Sequence, residues 1–407
     1  MALDTLERPR VATSARTTTA PPDWRVTLSD LVIDENEVEA VAAVLRSRWL
    51  SAGPVTRAFE REFAAVHGVE DAVAVSSGTA ALHLAMLALG IGPGDEVIVP
   101  SLSFVSAAAV VALCGGTPVF ADVADTCDLT VDPADVARRV TPRTKAIVAM
   151  HFGGFAADMD GILAVARRHG LAVVEDAAHA PGVRTGAGAL GTIGDIGCFS
   201  FFATKNVATG EGGMVVARDP SVLARIRQLR SHCMTTSSWD KQQGRPAGYD
   251  VVGLGLNYRP TEMSSALGRV QLSRLPDDRR RRCDLTTRYR RLLAELPGVD
   301  LPFFHRTGDS AYHLMPLLLP DGVDRECFQE QLKRHRIQSS VHYPPSHLFS
   351  HYQAAYGYQP GDLPVTEDVA AREVTLPLHA RMRESDVDLV AGVAAMALAR
   401  CLGTAWV

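Results

Sequence analysis

The sequence predicts an α/β fold: a large domain with a mainly parallel seven-stranded sheet flanked by helices, then a small C-terminal α+β domain. Three observations predict it. Seven short β-rich runs, "DAVAVSS", "EVIVP", "TPVFADV", "KAIVAMHF", "LAVVEDA", "IGCFSFF" and "GGMVVA", are nearly continuous in apolar residues, as strands covered on both faces are. Helical stretches lie between most of the early runs, as crossovers between parallel strands require. Past residue 300 only two strand-like runs remain, set among helices.

Taken in order, residues 1–25 read as a mobile tail, 26–255 as the large domain, and 256–407 as connecting helices with the small domain. "DENEVEAVAAVLRS" opens with Asp34 and Glu37 spaced as a capping box. "TRAFEREFAAVHG" is a second helix, ended by Gly68. The last two of the seven strands are joined by a short turn, which predicts an antiparallel edge or hairpin. Residues 234–257 are polar and irregular. "PTEMSSALGRVQLSRL" and "DDRRRRCDLTTRYRRLLAELPG" read as two helices. A strand "AYHLMPLLLP", a helix "RECFQEQLKRHR", a strand "IQSSVHY" and a terminal helix "ESDVDLVAGVAAMALARCL" complete the chain.

The bulk numbers exclude several classes. The 407 residues are 47% hydrophobic, enough for a large core. A net charge of −5 gives no basic excess for nucleic acid. The densest basic run, "RRRR" at 279–282, sits among Asp277, Asp278 and Asp284 and reads as a solvated helix face. Seven scattered cysteines without a CxxC argue against a disulfide framework or a zinc site and fit a reducing cytoplasm. No metal is expected. The longest apolar candidate, "AAAVVALC" at 107–114, is too short to span a membrane. In the N-terminal tail, Asp4, Glu7 and Asp23 balance three arginines, unlike a transit peptide.

Three stretches carry chemistry. Of 41 basic residues only four are lysines, and one of them, Lys205, stands in "FFATKNVATGEGG" between an apolar run and a glycine turn. A lysine amine can lose its proton and attack a carbonyl, which arginine cannot do. Such flanks fit a surface-loop lysine poorly. Ser200, alternating with Phe199 and Phe201, faces away from both phenylalanines on a strand. In "VVEDAAHAPG" an apolar strand ends in Glu175-Asp176, where parallel sheets place ligands; a helix cap is the plainer alternative for Asp176. In "VSSGTAALHLAMLAL" small residues open a helix whose N–H groups suit an anion, or merely an N-cap. The order is phosphate turn, strand-end acid, lysine. Pyridoxal phosphate (PLP) needs those parts: donors for its phosphate, an acid opposite its ring nitrogen, and an amine.

At these residues the chain resembles the DegT/DnrJ-type family of PLP-dependent nucleotide-sugar aminotransferases, within the aspartate aminotransferase-like fold, PLP fold type I. The resemblance runs from about residue 26 to the C-terminus, through "WLSAGPVTRAFEREFA", "SSGTAALHLA", "VTPRTKAIV", "EDAAHA", "GDIGCFSFFATKN", "TGEGGM", "LGLNYRPTEMSSALGRVQL" and "VHYPPSH". It implies that Lys205 forms the Schiff base and shuttles the proton, and that Asp176 pairs with the ring nitrogen. Gly78, Thr79 and Ser200 would hold the phosphate, Phe104 would stack on the ring, and His179 would sit near its 3-hydroxyl. Asn257 would reach the phosphate in the other subunit of a homodimer; capping the helix near Pro260 is its plainer alternative. Two departures stand out: Phe104-Val105-Ser106-Ala107 where the family writes "FVAT", and His232-Cys233 where it writes "HG".

The implied activity moves an amino group from L-glutamate to a nucleotide-linked keto sugar. Met150-His151-Phe152-Gly153-Gly154 and the histidine ending "EDAAH" resemble the branch that aminates C4 of a TDP-4-keto-6-deoxyhexose. A C3 enzyme, an aminocyclitol aminotransferase and a regulatory protein without chemistry are the alternatives. Asp176 and Lys205 together argue against the last of these.

Overall fold

The computed structural model describes residues 23–403, apart from 237, 245–247, 307 and 309; the tail lies outside them except for 23–25. Helices α1 (Glu35–Ser47) and α2 (Pro54–His67) lead into strand β1 (Val73–Val75) and helix α3 (Gly78–Leu89). Then come β2 (Glu96–Pro100), α4 (Ser106–Leu113), β3 (Thr117–Ala121), α5 (Pro133–Arg139), β4 (Thr144–Met150), α6 (Met159–His169) and β5 (Ala172–Asp176). A small ribbon, β6 (Arg184–Thr185) and β7 (Gly188–Ala189), precedes β8 (Ile196–Ser200) and β9 (Gly213–Ala217). Helices α7 (Pro220–Leu229), α8 (Ser238–Gln242) and α9 (Glu262–Leu293) follow. The remainder holds β10 (Met315–Leu318), α10 (Arg325–Arg334), α11 (Ser350–Tyr356), α12 (Pro364–Arg372), β11 (Glu373–Leu376) and α13 (Glu384–Cys401).

The seven predicted strands form one sheet in the order β1-β9-β8-β5-β4-β2-β3. Every pairing is parallel except those of β9, which runs antiparallel to β1 and to β8. Of the antiparallel edge or hairpin expected, β8 and β9 form the hairpin, with β9 second from the edge and β1 outside it. The turn before β9 spans residues 201–212, longer than expected. Alternation along the strands divides the two faces. Val97, Val99, Val148, Val174 and Cys198 pack with α3 and α4; Ile98, Ile147 and Val173 pack on the other side with α5 and α6. Phe199 and Phe201 join Phe59 and Phe63 of α2, so Ser200 lies on the α3 side.

The helix signals in the first part of the chain behave as their chemistry dictates. Asp34 and Glu37 form the reciprocal capping box on α1, and Gly68 closes α2 at a left-handed φ of 71°. Four expectations are corrected. First, the two helices expected after residue 260 are one, α9, which runs 32 residues with Pro276 inside it. Packing against α1 and α2 on one half, and α13 on the other, holds it continuous. Second, the "RRRR" run is not simply solvated. Arg279 donates to the carbonyls of Ser310 and Gly308, Arg281 to that of Met382, and buried Arg282 to those of Tyr312 and Leu378. Guanidinium forks thus satisfy carbonyls of irregular segments that have no ladder partner.

Third, "IQSSVHY" is not a strand. It makes single bridges, Val26 to Ile337 and Ser340 to Thr375, while β10 pairs with β11, which the sequence reading missed. Four residues of "EVTL" following directly on α12 are too short to show a period. Fourth, Cys327 of α10 and Cys401 of α13 are joined in a disulfide, with Cα atoms 6.2 Å apart. The two residues are 74 apart in sequence, and only the packing of α10 on α13 brings them together. No helix among the described residues is long and apolar enough to cross a membrane.

Candidate active site

Strands β1, β2, β4, β5 and β8 all point their carboxyl ends to one edge of the sheet, and a cavity of about 540 Å³ opens there. Seven of the eight residues singled out in the sequence line it: Gly78, Thr79, Phe104, Asp176, His179, Ser200 and Lys205. Asn257 does not. It is exposed, bridged to Ser231, and it does not cap α9 either, because Thr261 accepts the N–H of Ser264 as the N-cap.

The two carboxylates that end β5 part company by strand alternation. Glu175 points into the α6 side, where it accepts the N–H groups of Gly191, Ile193 and Gly194 and lies 2.8 Å from His151 Nε2. Burial raises its proton affinity, but these donors outweigh it and hold the carboxyl below the ordinary range. Asp176 points to the α3 side and, among the described residues, its carboxylate receives only the Ala178 N–H, at 3.1 Å. Burial therefore keeps its carboxyl above the ordinary range, against the pull of that N–H, Lys205 and His151. A buried acid so sparsely paired calls for a cationic partner.

Lys205 sits in the turn between β8 and β9, its N–H on the Phe202 carbonyl. Burial pushes its amine down to about 8, against the field of Asp176. The next residue ties this turn across the site: Asn206 donates to the Ala311 carbonyl and accepts from His313 Nδ1. His179 is held from both sides. The Gly153 N–H donates to Nδ1, so the proton is on Nε2 and points to the Tyr343 hydroxyl 3.1 Å away. Burial, with Lys205 and His342 beside it, keeps His179 neutral.

The opening of α3 explains its glycine. A Cβ on Gly78 would lie 2.7 Å from Cβ of Ser200, so only glycine lets the helix start against the end of β8. Ser77 caps the helix through the Ala80 N–H. The N–H groups of Gly78 and Thr79, in the first turn, have no acceptor within the helix, and both residues line the cavity, a setting for an anion. Phe104, 55% exposed, presents an open ring on the cavity wall.

The residues fit PLP: one amine of lowered proton affinity, one under-paired buried acid, and a helix start with a hydroxyl beside it. Sequence reasoning missed three more wall residues, His313, His342 and Tyr343. The signal was present, since "AYHLMP" and "VHYPPSH" hold polar rings among apolar residues, but nothing local says that they face β5 and β8 across the fold.

A profile of the DegT/DnrJ/EryC1/StrS aminotransferase family matches residues 31–394. The spore coat polysaccharide biosynthesis protein SpsC of Bacillus subtilis is 44% identical over 362 residues, covering 88% of this chain and 93% of its own. The crystal structure of DesI in the presence of its TDP-sugar product is 34% identical, with a TM-score of 0.81 over 94% of each chain. A protein from Streptococcus pneumoniae, named as a sugar aminotransferase and solved in its PLP form, is 28% identical. Its TM-score is 0.85 over 92% of this chain and 98% of that one.

Proposed function

This chain belongs to the DegT/DnrJ/EryC1/StrS aminotransferase family, as a PLP-dependent sugar aminotransferase, and on that premise we propose its substrates and the roles of its residues. The acceptor is a nucleotide-linked keto sugar, aminated at C4 of a TDP-4-keto-6-deoxyhexose, and the donor is L-glutamate. The TDP-sugar product named for DesI supports the nucleotide-sugar class, and the "EDAAH" ending supports C4. Amination at C3 is the second reading, and the same motif disfavours it.

The observation that carries the proposal is the pairing of Lys205 with Asp176 in one cavity, each with its proton affinity displaced by burial. When bound, PLP supplies a reactive carbonyl and a protonated ring that draws electrons from the carbon being deprotonated. Asp176 would hold the ring nitrogen's proton. Gly78, Thr79 and Ser200 would bind the phosphate, and Phe104 would cover the ring. His179, locked as a neutral donor toward Tyr343, would orient the ring from its other edge. Lys205 would anchor the cofactor. Its Nζ, neutral once released, would then take and return the proton at the substrate carbon. The cavity walls from Asn206 to Tyr343 would keep water from that proton.

Asn257 would complete the phosphate site in a second copy, making a homodimer the active unit. Val251, Val252 and Leu254 beside it are exposed, Leu254 to 96%, which supports burial against another chain. Half-transamination tests the substrate assignment. The pyridoxamine phosphate form is mixed with TDP-4-keto and TDP-3-keto sugars in turn, and the return of the PLP absorbance is followed. A faster return with the 3-keto sugar would reverse the C4 assignment.

A further inference from the structure

His342 lines the Lys205 cavity, and β11 holds it there. Glu373, with no exposed surface, accepts the His342 N–H on Oε2 at 2.7 Å and the Thr375 hydroxyl on Oε1 at 2.5 Å. Thr375 Oγ1 is in turn 2.9 Å from His342 Nδ1. A carboxyl, a hydroxyl and an imidazole thus form a line from the core of the β10–β11 sheet to the cavity wall. Nδ1 is the ring nitrogen that faces Thr375, which leaves Nε2, the far end of that line, for the cavity that His342 lines.

Resting on the reading that the cavity takes a keto sugar, we propose that Glu373 is a positioning residue. Through Thr375 it sets which ring nitrogen of His342 carries the proton, and so whether His342 donates to or accepts from sugar oxygens. Counting donors gives two states. With Glu373 ionised, Thr375 donates to Oε1, its oxygen accepts from Nδ1–H, and Nε2 is a bare acceptor. With Glu373 protonated at Oε1, that O–H donates to Thr375, Thr375 donates to Nδ1, and Nε2 carries the proton into the cavity. The exchange balances. One proton enters at Nε2, the Nδ1 proton passes to Thr375, and the Thr375 proton passes to Glu373. His342 is neutral before and after.

Burial holds Glu373 up to about 8 and His342 down to about 4, so Glu373 is the member that titrates near neutrality. The groups that face the line are few. Arg325 of α10 favours the Glu373 carboxylate, and Tyr343 lies beside it. Lys205, His179 and His313 face the imidazole. Below about 8 the line ends in a donor suited to a carbonyl oxygen; above it, in an acceptor.

The test is the tautomer of His342 in the full-length protein, read by long-range proton–nitrogen NMR with labelled histidine and assigned with His342→Gln. It is run with and without PLP. In wild type and in Thr375→Ser the proton should move from Nε2 to Nδ1 as pH rises, with a midpoint of about 8. Glu373→Gln, whose amide donates to Thr375 while its carbonyl still accepts from the His342 N–H, should hold the Nε2–H form throughout. Thr375→Val should lose the coupled transition. The kcat/KM for the keto sugar should follow the tautomer change in wild type, beyond the Lys205 titration near the same pH that Glu373→Gln retains. An unchanged wild-type tautomer on both sides of the midpoint, or a Thr375→Val transition that matches wild type, overturns the proposal. If Thr375→Val fails to fold, wild type against Glu373→Gln still decides. The NMR readout needs no sugar, so failure of the substrate reading is seen separately, as an absence of turnover with a normal tautomer transition.

Discussion

Lys205 and Asp176 act on each other through a low-dielectric wall, and each departs from its ordinary proton affinity for the same reason, burial. The lysine is protonated below about 8 and a free nucleophile above it. In the protein without PLP, labelling of Lys205 by an amine reagent, followed by peptide mapping, should rise with a midpoint near that pH; a midpoint near that of an ordinary lysine contradicts the buried setting. Asp176→Asn removes the acid that would hold the ring proton and should lower kcat by ~10² or more. His179→Gln keeps a hydrogen-bonding side chain toward Gly153 and Tyr343 and should cost much less. Both variants are measured with one keto sugar at full cofactor occupancy, and the reverse ranking would mean that the ring partner is misassigned. At this scale the sequence was informative wherever a residue type was improbable in its place: a lysine among apolar flanks, a carboxylate at a strand end. It was silent on His313, His342 and Tyr343, whose approach to Lys205 depends on folding distant segments together. The choice of Asp176 over Glu175 came from the resemblance, and one step of strand alternation supplies its physical reason.

Among the elements, α3 opens onto the site and α9 packs against α1, α2 and α13. Gly78→Ala would force a Cβ against Ser200, and backbone displacement at the α3 start should weaken PLP binding ~10-fold or more, read by spectroscopic titration. Undiminished affinity would show that α3 does not hold the phosphate. In the first turn of α9, buried Glu262 accepts the N–H groups of Gly53, Val55 and Thr56 and the Thr56 hydroxyl. It anchors the start of α2, which has no side-chain cap of its own. Glu262→Ala strands those donors and should cost about 3 kcal/mol in denaturant unfolding; a loss under about 0.5 kcal/mol would match an ordinary surface change. The sheet and most helices were legible because apolar runs and caps are local signals. The continuity of α9 through Pro276, the place of β9 inside the sheet and the strand β11 were not, because neighbours far along the chain decide them.

For the whole molecule, the proposed homodimer and the proposed reaction make separate claims. If Asn257 serves the other subunit's phosphate site, inactive Lys205→Ala mixed with inactive Asn257→Asp should regain activity through hybrid dimers that hold one intact site. No recovery after proven subunit exchange contradicts a shared site. The role proposed for Asn257 came from the resemblance alone, and the exposed Leu254 carried no signal, since a partner surface leaves no periodic pattern in a loop. The central claim is that the Lys205–Asp176 cavity transfers the amino group itself. The direct measurement supplies the PLP-loaded protein with ¹⁵N-labelled L-glutamate and a TDP-4-keto-6-deoxyhexose, and follows the sugar nucleotide by mass spectrometry. The account predicts a TDP-amino sugar carrying ¹⁵N at C4 with the wild-type protein and none with Lys205→Ala. Equal amination by Lys205→Ala, or an unlabelled sugar with the wild type, would contradict it.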